Sequence, residues 1–397
     1  MVDLVIKGAR VLSPANEMDM VTDISIVGTR IHRVGPLEQG ETAKEEIDGK
    51  GYILSPGFID FHVHGFAYFT DYGTYPDDVG VRSGVTTVVD QGSAGYLTFP
   101  AFHEFMVKPS ATRVLSYLNI GAVGTIKGSM LPALHGPETV DVGAVVETIA
   151  KYPHIIKGIK THAEMGGVAR WGFDVLAKAK EAAKRANVPC YVHTGRLIPC
   201  EGFSLPDPDS IVPGALEYLE PGDILTHCFT GHPGGIVKTT GEVHKTVRRA
   251  ISDGLLLDVG YGEHFSFDIA QKVLDQGIMP DLVSSDVHAL FNQPHSLQAT
   301  YGLFSALSHL LALGIPLSDL IAMVTDHPAR ILGWDEELGR IEAGYQADLT
   351  LFRIESGSFL FRDRFGVSVP ASLRLEPKLT IRQGVPYWAP VIKEAEV

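Results

Sequence analysis

The chain has 397 residues, enough for one barrel domain of roughly 250 residues plus a smaller module. Hydrophobic residues make up 45% of the sequence and charged residues 20%, and these values exclude a disordered, collagen-like or coiled-coil protein. The formal net charge of -14 repels phosphate backbones and anionic lipid surfaces. We therefore expect neither a nucleic-acid nor a membrane partner.

Cysteine usage and apolar runs indicate the compartment. The three cysteines have no CxxC spacing, which fits a reduced environment rather than a disulfide scaffold. Asp3 interrupts the N-terminal apolar stretch, so a signal peptide is not expected. The longest apolar segment, residues 301–315, stops at Pro316, short of the roughly 18 residues that a membrane span needs. We expect a cytoplasmic protein in which this segment is a buried helix.

The two ends of the chain have the same texture of short strands separated by turn residues. The first such strands are expected at residues 4–6, 23–27 and 30–34 as an antiparallel meander, and the last at residues 347–352 and 377–382. We predict that residues 1–54 and 336–397 pair with each other to form one small β-sandwich module.

Between the ends, eight β-rich runs alternate with segments that can form helices. The runs are residues 57–62, 86–90, 114–118, 155–160, 189–193, 223–227, 255–259 and 281–286. One connector, residues 173–186, has an apolar stripe at helical spacing. The pattern predicts an α/β fold with a (β/α)8 TIM barrel over residues 55–335, whose active site lies at the carboxyl ends of the strands. A doubly wound open sheet is the alternative, but no GxGxxG follows the first strand.

Several metal-ligating residue types stand at these strand ends: His62 and His64, Asp90, Lys160, His193, His227 and Asp286. Because side chains alternate along a strand, Asp60, His62 and His64 are expected to point inward and Ile59, Phe61 and Val63 toward the helices. Two inward imidazoles two residues apart can bind one metal ion, at about 2.0–2.1 Å if it is zinc, and Asp60 can orient one of them. An isolated HxH pair is more often two ordinary polar residues, but ligand types at the ends of further strands favour a metal site.

At these residues the sequence resembles the amidohydrolase superfamily over nearly its whole length. The motifs PGFIDFHVHG, IKGIK, YVHTG, ILTHC and SSDVH occur in the order found in its binuclear members. The stretches GVTTVVDQGSAG, LLALGIP and TDHPARILG look more like the amidohydrolase/deacetylase branch, whose members are often labelled dihydroorotase.

The resemblance implies a site with two divalent metal ions, zinc first and manganese or cobalt as alternatives. His62 and His64 would hold the more buried ion and His193 and His227 the more exposed one, with Lys160 bridging them as its N-carboxylated form (N6-carboxylysine), made from carbon dioxide. Asp286 would bind the first metal and act as catalytic proton shuttle. Two ions about 3.5–4 Å apart acidify a shared water into hydroxide, and a buried neutral lysine can form an anionic carbamate.

Two residues compete for ligand roles. Lys157 is three residues from Lys160 and is expected to point to the opposite, helix-facing side of its strand. Cys228 directly follows His227, so alternation turns it outward as a buried structural thiol.

Loop residues near the predicted mouth supply candidate substrate contacts. His135, His232, His264 and His288 follow strands at the catalytic end, with His135 and His288 the better candidates, and Tyr68, Arg196 and Tyr261 can donate hydrogen bonds there. For each of these histidines a loop residue without a role is the more common case, and for Tyr68, Arg196 and Tyr261 it is the equal alternative. For the remaining histidines we expect surface or packing positions: His32, His103, His154, His162, His244, His295, His309 and His327.

The reaction class follows from the implied metals. A metal-bridged hydroxide attacks a carbonyl, so we expect hydrolysis of an amide or ester bond in a small molecule, first of all deacylation of an acylated amino or hydroxy acid. Alternatives are a cyclic amide hydrolase of the hydantoinase, dihydropyrimidinase or lactamase kind, an adenine-type deaminase and a non-catalytic scaffold. Phe66 stands where dihydroorotases carry an arginine, which argues against that activity. Phe66, Tyr68, Phe69 and Phe291 suggest an apolar acyl pocket, and we expect a homo-oligomer.

Overall fold

A computed structural model describes residues 1–69, 72–289 and 302–389. Its strands in chain order are β1 Val2–Ser13, β2 Met18–Val27, β3 Arg30–Val34, β4 Ala43–Asp48, β5 Ile53–Pro56, β6 Phe58–Val63, β7 Val85–Gly95, β8 Arg113–Asn119, β9 Ile156–His162, β10 Cys190–His193, β11 Ile224–Thr226, β12 Leu256–Asp258, β13 Leu349–Arg362, β14 Ser368–Arg382 and β15 Val385–Trp388. Within the described ranges they form two sheets, one of eight strands from the chain ends and one of seven parallel strands from the middle.

The sheet of the chain ends has the order β15-β14-β13-β5-β1-β2-β3, with β4 also paired to β1. The expected antiparallel meander is present in β1, β2 and β3, whereas β4 and β5 run parallel to β1. The two ends of the chain meet where β5 pairs antiparallel with β13, Leu54 opposite Leu351. Ile6, Leu349 and Ile381 belong to a buried apolar cluster on this sheet. The division of the chain at residues 54 and 335 stays a prediction.

The middle strands follow one another in sequence order, from β6 to β12. Single parallel bridges join Asp258 to Leu282 and Val63 to Val287, so the eighth predicted strand segment lies between β12 and β6 and closes the barrel. The (β/α)8 barrel is therefore confirmed, and the open doubly wound sheet is wrong for this chain.

Helices separate and cover these strands. Their bounds are α1 Pro76–Val79, α2 Phe99–Phe102, α3 Val142–Lys151, α4 Met165–Trp171, α5 Asp174–Ala186, α6 Pro208–Leu216, α7 Lys245–Ser252, α8 Phe267–Asp275, α9 Leu303–Ala312, α10 Leu317–Ala322 and α11 Asp326–Ile331. A π-helical turn, His103–Val107, extends α2, and short 3-10 turns lie at Pro14–Asn16, Ile126–Ser129, Pro132–Leu134 and Pro137–Thr139.

Two helices that the sequence predicts are present, and their apolar residues are largely buried. The apolar stripe of α5 is buried against the barrel, and the helix ends at Asn187 in a left-handed conformation with φ 52°. The apolar segment ending before Pro316 forms α9, most of whose residues are buried. No helix in the described part of the chain joins enough length to enough apolarity to cross a bilayer.

The first barrel strand departs from strict alternation. Its register with β7 shifts between Asp60 and Val63, because β6 carries an extra residue there. Ile59 and Phe61 share one face by ordinary alternation and pack in the same buried cluster as Tyr191, with the rings of Phe61 and Tyr191 6.2 Å apart. The extra residue follows them and lets His62, next to Phe61, reach Tyr191 as well. The expectation that Ile59 and Phe61 face the helices was therefore wrong, and of the three apolar residues Val63 alone joins the helix-side cluster.

Candidate metal centre

Three side chains converge at the carboxyl ends of β6 and of the closing segment. The Nε2 atoms of His62 and His64 lie 3.1 Å and 3.4 Å from Oδ1 of Asp286, and all three residues are buried. Lys160 reaches the same place from β9, with its Nζ 3.3 Å from Nε2 of His62. The first-strand HxH pair, the fourth-strand lysine and the eighth-strand aspartate are thus neighbours in space.

A second buried group lies beside the first and consists of His193, His227 and His264. Nε2 of His227 and Nδ1 of His193 are 2.9 Å apart. Nδ1 of His227 lies 2.8 Å from the Gly260 carbonyl, which can only accept, so Nδ1 carries the hydrogen and Nε2 presents a lone pair toward His193. The two predicted ligands on β10 and after β11 therefore share one small space.

His264 is the member that reasoning from strand ends did not single out as a metal ligand. It lies six residues beyond the end of β12, and its ring stacks on that of His227 at 3.9 Å and 25°. From its position after β12 it was predicted only as a residue of the barrel mouth, because the path of the loop decides where its side chain points. The loop places its ring nitrogen within 4.8 Å of those of His193 and His227.

Backbone geometry at two of these positions is unusual. His227 and Asp286 have positive φ values of 64° and 52°, a region that non-glycine residues rarely adopt and that recurs at functional sites. Gly262 is packed so closely that a Cβ there would lie 2.3 Å from Oδ2 of Asp286. The chain around these two side chains is therefore tightly specified.

Burial sets the protonation of the two groups. It lowers the pKa of His62, His193, His227 and His264 well below 6.5, and that of His64 to about 3, because a charged imidazole is costly away from water. Burial likewise lowers the pKa of Lys160 and raises that of Asp286. Neutral imidazole nitrogens that converge with a carboxylate oxygen are ligands that divalent metal ions take, so this set fits divalent cations.

Neighbouring polar groups hold the ligands in place. Nδ1 of His64 is 3.1 Å from Oγ of Ser93, and Asp90 accepts from the backbone N–H groups of Ser93 and Gly65 at 2.8 and 2.7 Å. Asp90 therefore braces the loop rather than pointing into the site. Asp60 accepts from the backbone N–H groups of Ser285 and His62 at 2.9 and 3.4 Å, so these hydrogen bonds are to backbone, and a role in orienting a histidine ring stays a prediction.

A cavity of about 180 Å³ opens above the two groups. Of the predicted substrate contacts, Arg196 and His288 line it, and so do the loop histidines His232 and His264. Lining residues that the sequence did not suggest are Tyr72, Thr125, Lys127 and Glu263. The Tyr72 ring stacks on that of His288 at 4.0 Å.

Three predicted contacts lie elsewhere. Tyr68 is 91% exposed and borders a separate surface groove with Phe66 and Phe69. Tyr261 directs its hydroxyl to Nδ1 of His309 at 2.7 Å, and His135 is buried beside His162.

The expected apolar acyl pocket is also absent from the metal-centre cavity, as far as the described residues go. The rings of Phe66 and Phe69 stack on each other at 4.4 Å, away from the cavity lining, and Phe291 lies outside the described residues. Cys228 is buried in the helix-side cluster, as alternation predicts, and burial raises the pKa of its thiol.

The turn between β13 and β14 brings the small module to this cavity. Arg364 pairs with Glu263 at 2.7 Å, and the Phe365 ring lies 5.1 Å from that of His232. Asp363 accepts from the backbone N–H of Phe267 at the start of α8, at 2.9 Å. Two lining residues are thus backed by side chains from the far end of the sequence.

Comparison with known proteins identifies the family to which this chain belongs. Residues 53–369 match the Amidohydrolase family. The chain is 31% identical over 363 residues to a deacetylase of Agrobacterium fabrum (91% of this chain, 85% of the relative), and 30% identical over 389 residues to a deacetylase of Enterococcus faecalis (97% and 99%).

Two solved structures share this fold over almost the whole chain. A dihydroorotase structure has a TM-score of 0.85 at 28% identity, covering 97% of this chain and 99% of that one. An adenine deaminase structure has a TM-score of 0.84 at 28% identity, covering 98% and 100%. The chain belongs to the amidohydrolase family, and it is a metal-dependent hydrolase.

Proposed function

We propose that this enzyme hydrolyses the amide or ester bond of a small acylated amino or hydroxy acid and releases the acyl group. The observation that carries the proposal is the pair of buried ligand groups, with Lys160 and Asp286 beside them, at the floor of a small cavity. The deacetylase relatives support an acyl group as the part removed. We place the enzyme in the cytoplasm as a homo-oligomer acting on small molecules, without nucleic-acid or membrane partners.

The ligand groups suit two divalent ions, which we propose to be zinc, with manganese or cobalt as alternatives. His62, His64 and Asp286 would hold one ion, His193 and His227 the other. When bound, such ions polarise a carbonyl and lower the pKa of a water molecule. Lys160 would link the two positions as its carbamate, and the burial that lowers the pKa of its amine supplies the neutral nitrogen that carbon dioxide requires.

Asp286 is the proposed proton carrier. Oδ1 faces the two first-strand histidines, and burial raises the pKa of the carboxyl group, so it can both take and release a proton near neutral pH. It would accept the proton of the attacking water and deliver it to the departing nitrogen or oxygen, giving a free acid and an amine or alcohol.

Arg196 is the proposed partner of the substrate carboxylate. It follows β10 at the cavity lining, its side chain is exposed, and among the described residues no hydrogen bond or ion pair engages its guanidinium. A planar guanidinium suits bidentate binding of a carboxylate. His288, which lines the same cavity, is the proposed second substrate contact. Tyr68, His135 and Tyr261 are not proposed as substrate contacts.

A cyclic amide is the second candidate substrate, because the similarity to a dihydroorotase structure spans nearly the whole of both chains. The position of Phe66 offers no cation for the carboxylate of a dihydroorotate ring. Its buried ring packs against that of Phe102 at 5.3 Å.

A substrate panel separates these possibilities. Metal-replete enzyme is assayed with stereochemical pairs of acylated amino acids and acylated hydroxy acids, and with hydantoins, dihydropyrimidines and lactams. We expect turnover of one acylated class, its loss after chelation, and its return with zinc, manganese or cobalt. Activity undiminished after metal removal would overturn the proposal, and turnover confined to the cyclic amides would transfer it to the second candidate.

A further inference from the structure

A tyrosine and a carboxylate lie buried beneath the metal centre. Tyr191 is on β10 two residues before His193, and its ring is fully buried. Its hydroxyl is 3.0 Å from Nδ1 of His62, on the side of that ring opposite to Asp286. The same hydroxyl also bonds to Asp258, at the end of β12, and lies 2.9 Å from Oγ1 of Thr226.

The hydrogen bonds around Tyr191 can be assigned consistently to donors and acceptors. Oδ2 of Asp258 also receives the hydroxyls of Thr226 at 2.9 Å and Ser284 at 2.6 Å, a set of donors that suits an ionised carboxylate. A phenol has one hydrogen, and the carboxylate is its strongest acceptor. Whether the phenolic hydrogen goes to Asp258 or to Thr226, which itself donates to Asp258, the oxygen of Tyr191 keeps lone pairs for His62, and we assign Nδ1 of His62 as the donor.

This assignment fixes the tautomer of His62. With the hydrogen on Nδ1, the lone pair of Nε2 points toward Oδ1 of Asp286 at 3.1 Å and Nζ of Lys160 at 3.3 Å, which is where a metal ion would be bound. Hydrogen bonding at the far nitrogen orients a metal-binding imidazole and raises its basicity.

We infer that Tyr191 and Asp258 are positioning residues that hold His62 as an Nε2 ligand and thereby set the affinity of the metal position formed with His64 and Asp286. The inference rests on the proposed metal site. It adds that this position depends on a buried carboxylate–tyrosine–histidine relay, whereas His227 uses a backbone carbonyl for the same purpose.

The barrel offers a matched control in Tyr117. It is as buried as Tyr191 and belongs to the same cluster, with the two rings 5.7 Å apart. Its hydroxyl makes no hydrogen bond with any described residue. Tyr117→Phe and Tyr191→Phe therefore remove the same atom from neighbouring rings, but only the second change removes the relay.

The test titrates metal-free wild-type, Tyr191→Phe, Tyr117→Phe and Asp258→Asn proteins with zinc by calorimetry, with the unfolding temperature of each metal-free form measured alongside. We expect wild type and Tyr117→Phe to bind two ions with similar constants. Tyr191→Phe should weaken one of the two constants by about 10- to 100-fold and leave the other unchanged. Asp258→Asn should weaken the same constant by a smaller factor, because an amide oxygen is a poorer acceptor.

Three outcomes would overturn the inference. If Tyr191→Phe binds both ions with unchanged affinity, Tyr191 does not influence metal binding, and the inference fails while the proposed metal site stands. Equal weakening of both ions, together with a metal-free unfolding temperature well below that of Tyr117→Phe, would reduce Tyr191 to a structural residue. A wild-type protein that binds no zinc, manganese or cobalt would overturn the proposed metal site and this inference with it.

Discussion

Lys157 and Lys160 are three residues apart on β9, and their ammonium groups lie in different surroundings. Nζ of Lys160 is 3.3 Å from Nε2 of His62, whereas Nζ of Lys157 is 5.2 Å from the centroid of the Trp334 ring. The register of β9 with β8 shifts between Ile156 and Gly158, so Lys157 stands at an irregular point near the amino end of the strand. Lys160 is the lysine that the fold brings to the ligand groups.

The first prediction uses this difference. Lys160→Ala should lose the two-metal centre, since no other described lysine or carboxylate lies in its place, while Lys157→Ala should keep it. Metal per chain is measured by elemental analysis after purification with zinc and bicarbonate present. We expect about two ions in wild type and in Lys157→Ala, and about one or fewer in Lys160→Ala. Equal metal content in wild type and Lys160→Ala would contradict the bridging role.

Asp286 allows the metal-binding and proton-transfer roles to be separated. Asp286→Asn keeps an oxygen that can face His62 and His64 but cannot accept a proton. We expect the variant to retain much of its metal while kcat falls by at least about 100-fold, the usual size of a lost general-base contribution. Steady-state rates and metal content are measured on the same preparation. A metal-loaded variant with a near-normal rate would remove Asp286 from the proton-transfer step.

Arg196 should act on substrate binding. Arg196→Ala removes the proposed carboxylate partner, and a charge-assisted hydrogen bond is worth about 1.5–3 kcal/mol. We expect KM for the acylated acid to rise by roughly 10- to 100-fold with a smaller change in kcat. The methyl ester of the same substrate is the control, since it lacks the charge and should be turned over about equally by both enzymes. An equal loss on acid and ester would show that Arg196 does not recognise the carboxylate.

The barrel and most of its ligand set were accessible from the sequence for a physical reason. Parallel strands in a closed barrel present their carboxyl ends at one face, so His62, Lys160, His193 and Asp286 could be grouped without knowing any loop. Period-two alternation was less dependable, because Ile59 and Phe61 turned out to face the buried cluster around Tyr191, and one extra residue between Asp60 and Val63 lets His62 reach Tyr191 beside them.

The contacts that form the cavity wall could not be predicted from the sequence, for a different reason. Glu263 is held by Arg364, 101 residues further along the chain, and His232 by Phe365. No local pattern encodes which turn of the small module will cover the barrel mouth. The hydrogen bond between Tyr191 and His62 joins residues that are 129 positions apart in the sequence, and it likewise depends on the closed barrel.

Gly262 provides the last prediction. A Cβ at this position would lie 2.3 Å from Oδ2 and 2.8 Å from Cγ of Asp286, closer than any stable contact, and the φ of 23° is unfavourable for an L-residue. Gly262→Ala should therefore push the Asp286 carboxyl group aside. Because displacements of about 1 Å in a reacting group can cost about 100-fold in rate, we expect a loss of that order in kcat/KM.

Gly277 is the matched control. It also has a positive φ, 75°, but a Cβ there meets nothing within 4 Å, so Gly277→Ala carries backbone strain of about 1 kcal/mol without touching the site. We expect Gly277→Ala to lower the unfolding temperature slightly and leave kcat/KM within about twofold. If Gly262→Ala keeps the wild-type rate, Asp286 is not confined as its contacts with His62 and His64 indicate. If the two variants lose activity equally, the loss comes from backbone strain and not from the displaced carboxylate.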